Sequence, residues 1–123
     1  MGFFSKKRLI KSEKRLIDYL PIGSIITLRN SPILPEDYPY KTELFMIIDY
    51  REVVSKKIDG KKCDVEMDYS CVRYPLGYIS LDEVVRINHD DIDEIIFYGY
   101  NSEEREEFCK NIDRILEEER ENV

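Results

Sequence analysis

Between residues 62 and 73 the chain alternates. Cys63, Val65, Met67, Tyr69 and Cys71 are separated by Asp64, Glu66, Asp68 and Ser70. A period of two predicts a β-strand with one apolar face and one wet, acidic face. Glu43 to Val54 forms a second extended arm, and Asp59-Gly60 between the two is the dipeptide of a type I′ hairpin turn. A two-residue turn there sets Val54 opposite Val65, Tyr50 opposite Tyr69 and Ile48 opposite Cys71, with Glu52 facing Met67 as a mismatch. Cys63 and Cys71 lie eight residues apart on one strand. At about 3.3 Å per residue they are too distant to bridge each other, so they read as small core residues.

The other elements follow from similar patterns. Leu9, Ile10, Leu16, Ile17 and Leu20 keep helical spacing, which predicts an amphipathic helix over 5–20 that Pro21 ends. Ile22 to Arg29 is β-branched and nearly free of charge, a first strand with Gly23-Ser24 at its start. Pro32, Pro35 and Pro39 keep residues 30–41 irregular. Tyr74-Pro75-Leu76-Gly77 is a turn, Tyr78 to Ser80 a brief extended piece, and Val84 to Ile87 another short strand. An acidic turn at Asn88 to Asp91 then runs into Ile95, Ile96, Phe97 and Tyr98, apolar on both sides, which predicts a central strand covered on each face. Asn101 or Ser102 caps a helix from Glu103 to Arg120, with Phe108, Ile112, Ile115 and Leu116 as its buried stripe and Cys109 alongside.

These elements give one α+β domain over 1–123: a basic N-terminal helix over 1–20, a β-rich core over 21–100 and a C-terminal helix over 101–121. The core is expected to be a twisted antiparallel sheet, or a small open β-barrel, of about five strands. A chain of 123 residues with 42% hydrophobic residues can bury such a core.

Charge is segregated. The chain carries −7 overall, yet Lys6, Lys7, Arg8, Lys11, Lys14 and Arg15 against Glu13 make residues 1–15 strongly basic. The acidic body repels phosphate backbones, so nucleic acid is an unfavoured partner except at that arm. A basic amphipathic helix suits an anionic surface or a partner as well as the domain's own core. Cys63, Cys71 and Cys109 are odd in number and lack CxxC spacing. Reduced thiols in a soluble, cytoplasmic protein are expected, with no transmembrane run and no secretory signal.

Residues suited to chemistry are few. His89 is the only imidazole, and no nucleophile elbow, P-loop or GxGxxG motif occurs. His89 with Asp90, Asp91, Asp93 and Glu94 offers oxygen ligands for a hard cation, but the twelve-residue calcium loop with its central glycine is absent. No catalytic residue, metal site or cofactor is predicted. Tyr38, Tyr40, Tyr78, Tyr98 and Tyr100 are the candidate protein-interface residues, because tyrosine combines apolar area with a polar tip.

An ordered series of short motifs adds to this. Leu20-Pro21-Ile22-Gly23-Ser24, Leu44-Phe45-Met46-Ile47-Ile48, Tyr74-Pro75-Leu76-Gly77, Asn88-His89-Asp90-Asp91-Ile92-Asp93-Glu94 and Phe97-Tyr98-Gly99-Tyr100 follow one another. Together they resemble a family of small proteins of unknown function from Gram-positive bacteria, found beside type VII secretion genes and LXG-type toxins. The chain departs from that pattern at Leu76 and Tyr98, where acids usually stand, and at Asp49, where glycine does. The resemblance implies a non-enzymatic cytoplasmic accessory protein, a chaperone or targeting factor that holds a toxin before export. Two other classes stay open: an immunity protein that inhibits a cognate toxin, and a small-barrel nucleic-acid binder using the basic arm.

Overall fold

One long hairpin sets the architecture. The computed structural model describes residues 9–10, 17–34, 36–37 and 40–121. Along them run β1 (Leu9–Ile10), β2 (Ile25–Leu28), β3 (Phe45–Tyr50), β4 (Val53–Ile58), β5 (Lys61–Glu66), β6 (Tyr69–Arg73), β7 (Val85–Ile87), β8 (Ile92–Phe97), α1 (Glu103–Lys110) and α2 (Ile112–Glu121). The hairpin comprises β3 to β6. Asp59 and Gly60 turn it at φ 51° and 77°, the left-handed pair that a type I′ turn requires. Val54 pairs with Val65 and Tyr50 with Tyr69, as the turn length dictates. A bulge between Ile47 and Asp49 then shifts the register by one, so Ile47 rather than Ile48 faces Cys71.

The hairpin bends halfway. Arg51 lies in the left-handed region at φ 58°, while Arg51 N donates to Asp68 O and Met67 N to Glu52 O, both at 3.0 Å. Beyond the bend, β4 and β5 form a ribbon along which β1 runs parallel to β5. Before it, β3 and β6 join the main sheet, in the order β7-β6-β3-β2-β8 with every neighbour antiparallel. With β7 and β8 at opposite ends the sheet stays open, and the fold is α+β with no closed barrel.

One face of this sheet carries the core. Ile26, Phe45, Ile47, Tyr69 and Cys71 are shut off from solvent. Tyr19, Leu20 and Ile112 of α2 join them, and Cys109 and Leu116 pack against the cluster. The predicted C-terminal helix is two helices. Ser102 caps α1, its Oγ accepting from Arg105 N at 3.1 Å. Asn111 breaks the run, its side-chain amide donating to Glu107 O at 2.9 Å, because a short polar side chain competes for local backbone groups.

Several expectations need correction. The helix expected over 5–20 is not seen where the chain is described: Leu9–Ile10 is a strand and residues 17–20 are irregular, while the remaining positions lie outside the described residues. Leu20 gives both its backbone groups to tyrosine hydroxyls, which leaves neither for a helical ladder. The first strand starts only at Ile25, because Gly23 turns the chain at φ 91°. Tyr78 to Ser80 pairs with no strand. The face expected to be wet stays half-exposed at Asp64 but is dry from Glu66 on, with Glu66, Asp68 and Ser70 all buried. Each has a partner there: Glu66 meets Arg51 at 2.9 Å, Asp68 Oδ2 accepts from His89 N at 2.8 Å, and Ser70 Oγ donates to Glu52 at 3.0 Å. The largest correction concerns β8. It is not a central strand but the end of the sheet, and it is exposed along nearly its whole length.

Among the described residues, no helix is long and apolar enough to cross a membrane. After β8 the chain leaves the sheet at Gly99, which is buried and donates its N–H to Ser24 Oγ at 2.9 Å. A Cβ built there would stand 2.7 Å from Ile22 O, a backbone atom that cannot swing away. Gly99→Ala should therefore destabilise the domain by about 1–3 kcal/mol, as overpacking does. Equilibrium urea unfolding checks this, and an unchanged midpoint would count against the close contact.

Candidate functional site

The segment before β2 is held from three sides. Tyr50 Oη donates to Leu20 O at 2.5 Å, and Leu20 N donates to Tyr69 Oη at 3.0 Å. Arg105 Nη1 donates to Tyr19 O at 2.7 Å. The rings of Tyr19, Tyr50 and Tyr69 meet edge-on or tilted at 5.3 to 6.0 Å between centroids, so the hydroxyls reach in from an apolar cluster. Burial raises the Tyr69 phenol above its ordinary value, which keeps it protonated. Burial likewise pushes the Cys71 thiol up to about 12, as suits an inert core residue.

His89 belongs to the same network. Its Nδ1 lies 2.7 Å from Tyr69 Oη. The same oxygen accepts from Leu20 N–H, so one hydroxyl joins the segment before β2 to the turn before β8. His89, Asp90 and Asp91 form one turn of 3₁₀ helix, closed by a capping box between Asn88 and Asp91. Asp93 pairs with Arg29 at 3.7 Å. The acids around the histidine thus serve the turn and its neighbours, and among the described residues no group of three or more His, Cys, Asp or Glu could hold a metal ion. What the cluster does border is an open depression of about 440 Å³, lined by Leu20, Ile92 and Ile95 with His89, Asp90, Asp93 and Arg29.

The depression opens onto β8. Ile95, Ile96, Phe97 and Tyr98 are 50%, 53%, 58% and 47% exposed, and Tyr100 is 83% exposed. The chain offers five large apolar side chains to solvent within six residues. The sequence pattern placed Ile95, Ile96 and Phe97 in the core, and two features of the fold overturn that. Among the described residues, β8 has no neighbour on its outer side. It also slips against β2, with Ile92, Ile95 and Phe97 facing Leu28, Ile26 and Ile25 across two irregularities. Each slip puts an extra residue into β8 and breaks the strict alternation that would have turned one face inward.

The predicted interface tyrosines do not gather on one surface. Tyr38 lies outside the described residues. Tyr40 and Tyr78 are exposed in the loops that meet where Tyr74 N donates to Leu44 O at 2.9 Å. Tyr98 and Tyr100 stand past the opposite end of β8, beyond the pairing of Phe97 with Ile25. Tyr98 and Tyr100 thus extend the apolar run of β8, while Tyr40 and Tyr78 are separate. The tyrosines that organise the domain, Tyr19, Tyr50 and Tyr69, were not singled out. The one available signal was the register that set Tyr50 against Tyr69.

Two predictions test the network. Tyr69→Phe leaves the buried Leu20 N–H without an acceptor and should destabilise the domain by about 1–3 kcal/mol, read from urea unfolding. The second concerns pH. Arg86 lowers the Glu52 carboxyl below its ordinary 4.5, with burial opposing and Ser70 assisting. A depressed native value means that the unfolded chain binds the proton more tightly. The contribution is therefore complete above the ordinary glutamate range and is lost as pH falls through the native value. Thermal melts on the acid side should accordingly drop more steeply for the wild type than for Glu52→Gln, and parallel curves would remove Glu52 from the acid response.

No curated protein and no solved structure matches the chain. Residues 19–108 match a described protein family from the buried Tyr19 to Phe108 of α1, a span that takes in the tyrosine network, the whole main sheet and β8. The chain belongs to the family described as Domain of unknown function (DUF4176).

Proposed function

We propose that this protein is a non-enzymatic accessory factor that holds a polypeptide client, and that the client is an LXG-type toxin kept in the cytoplasm before type VII export. The observation that carries the binding role is the run from Ile95 to Tyr98 with Tyr100, apolar and exposed on the end strand of the sheet. Scattered exposed apolar residues are ordinary on a folded surface, whereas a contiguous group marks a contact site. Aromatic residues are also the commonest anchors of protein interfaces. The toxin as client follows from the motif series that resembles the secretion-associated family. In this chain that series surrounds the held Leu20 and the exposed strand.

Co-expression with the toxin encoded nearest to this gene, followed by affinity capture of separate LXG and toxin fragments, tests the reading. Retention of the LXG or adjacent fragment is expected. Retention of the toxin domain alone, with loss of toxicity, would make the protein an immunity factor instead. If neither fragment is retained, the toxin-client reading falls.

A further inference from the structure

Sheet edges are normally guarded, since a bare edge is a template for any other strand. Short length, lysine, proline and covering loops are the usual guards. The other edges among the described residues carry them. β7 has three residues, Arg86 among them, and two residues of β1 are described. β4 is longer but bears Lys56 and Lys57, both exposed. β8 differs, with six residues and neither lysine nor proline. Its acids, Asp93 and Glu94, lie in its first half, and from Ile95 to Tyr98 it has no charge.

We propose that the outer edge of β8 receives an extended segment of the client as an added strand, with apolar residues over Ile95 to Tyr98 and a lysine or arginine at the depression beside Asp90 and Asp93. Main-chain hydrogen bonds supply the affinity in this mode, and side-chain pockets supply the selectivity. The depression suits a long basic side chain. Leu20, Ile92 and Ile95 can take its methylene stem, while Asp90 and Asp93, offset in part by Arg29, face its charged head.

Charge favours such a client over a second copy of this chain. Each copy carries −7, and Asp93 and Glu94 add acids at the very edge that would have to pair.

This inference rests on the client-holding role but not on the toxin as the client, so the two can fail separately. The probe is a short-peptide display library selected on the immobilised full-length protein. Selected peptides are titrated against wild type, against Ile96→Lys/Phe97→Lys and against Asp93→Lys. Both hydrophobic positions are exposed, so the double variant should melt within a few degrees of wild type. Enriched peptides should combine apolar residues with lysine or arginine and bind the double variant at least tenfold more weakly. They should bind Asp93→Lys several-fold more weakly and slow amide exchange in residues 92–98 of the wild type.

Equal binding to the double variant, enrichment of acidic peptides, protection elsewhere or no enrichment would overturn the proposal. So would a wild-type dimer that the double variant makes monomeric, since the occupant would then be a second copy. A toxin fragment captured equally by wild type and double variant sinks the edge and leaves the toxin reading standing. Selected peptides on β8 with no toxin captured do the reverse.

Discussion

The rest of the structure depends on how Leu20 is held. Its N–H and C=O are buried among three tyrosine rings, where an unpaired backbone group would cost free energy. Tyr50 and Tyr69 satisfy one group each, from adjacent strands of the main sheet. The same hydroxyl of Tyr69 reaches His89, and so ties the turn before β8 to the segment before β2. Three regions far apart in the chain are thereby fixed to one another. Ser24, four residues on, then bonds Gly99 and sets where the chain leaves β8.

This convergence gives the motif series a structural reading. Leu20 and Ser24 belong to its first piece, and His89 and Gly99 to its fourth and fifth. Ile47, of the second piece, exchanges backbone hydrogen bonds with Gly23 and Ser24 at 2.8 and 3.0 Å. Packing and hydrogen bonds confine these residues.

What could be read from the sequence follows the range of the interactions involved. The Asp59-Gly60 turn is local, and it alone set the pairing of Val54 with Val65 and Tyr50 with Tyr69. The bulge near Ile48 was not legible, because a one-residue slip depends on packing against strands distant in sequence. The buried acidic face was hidden for a similar reason. Alternation told that Glu66 and Asp68 share a face, but Arg51 at the bend and the turn at His89 decide that this face is dry. Of the candidate site, Tyr98 and Tyr100 were visible as aromatics. Their neighbours Ile95 to Phe97 were not, since a strand apolar on both faces reads alike at the middle of a sheet and at its end.

That ambiguity is informative once the topology is known. Two-sided apolar character at the centre of a sheet is what burial requires. At an edge it leaves apolar area in water and invites pairing with other chains. Among the described residues, the three other edges avoid this by being short or charged. Nothing in the tyrosine network asks for Ile96, Phe97 or Tyr100 to be apolar, since the contacts that hold β8 run through Gly99 and the ladder to β2. The exposed residues are thus separable from the scaffold that carries them. A side-chain set that stability does not explain, on the long edge without a guard among the described residues, is the surface that the proposed client would bury.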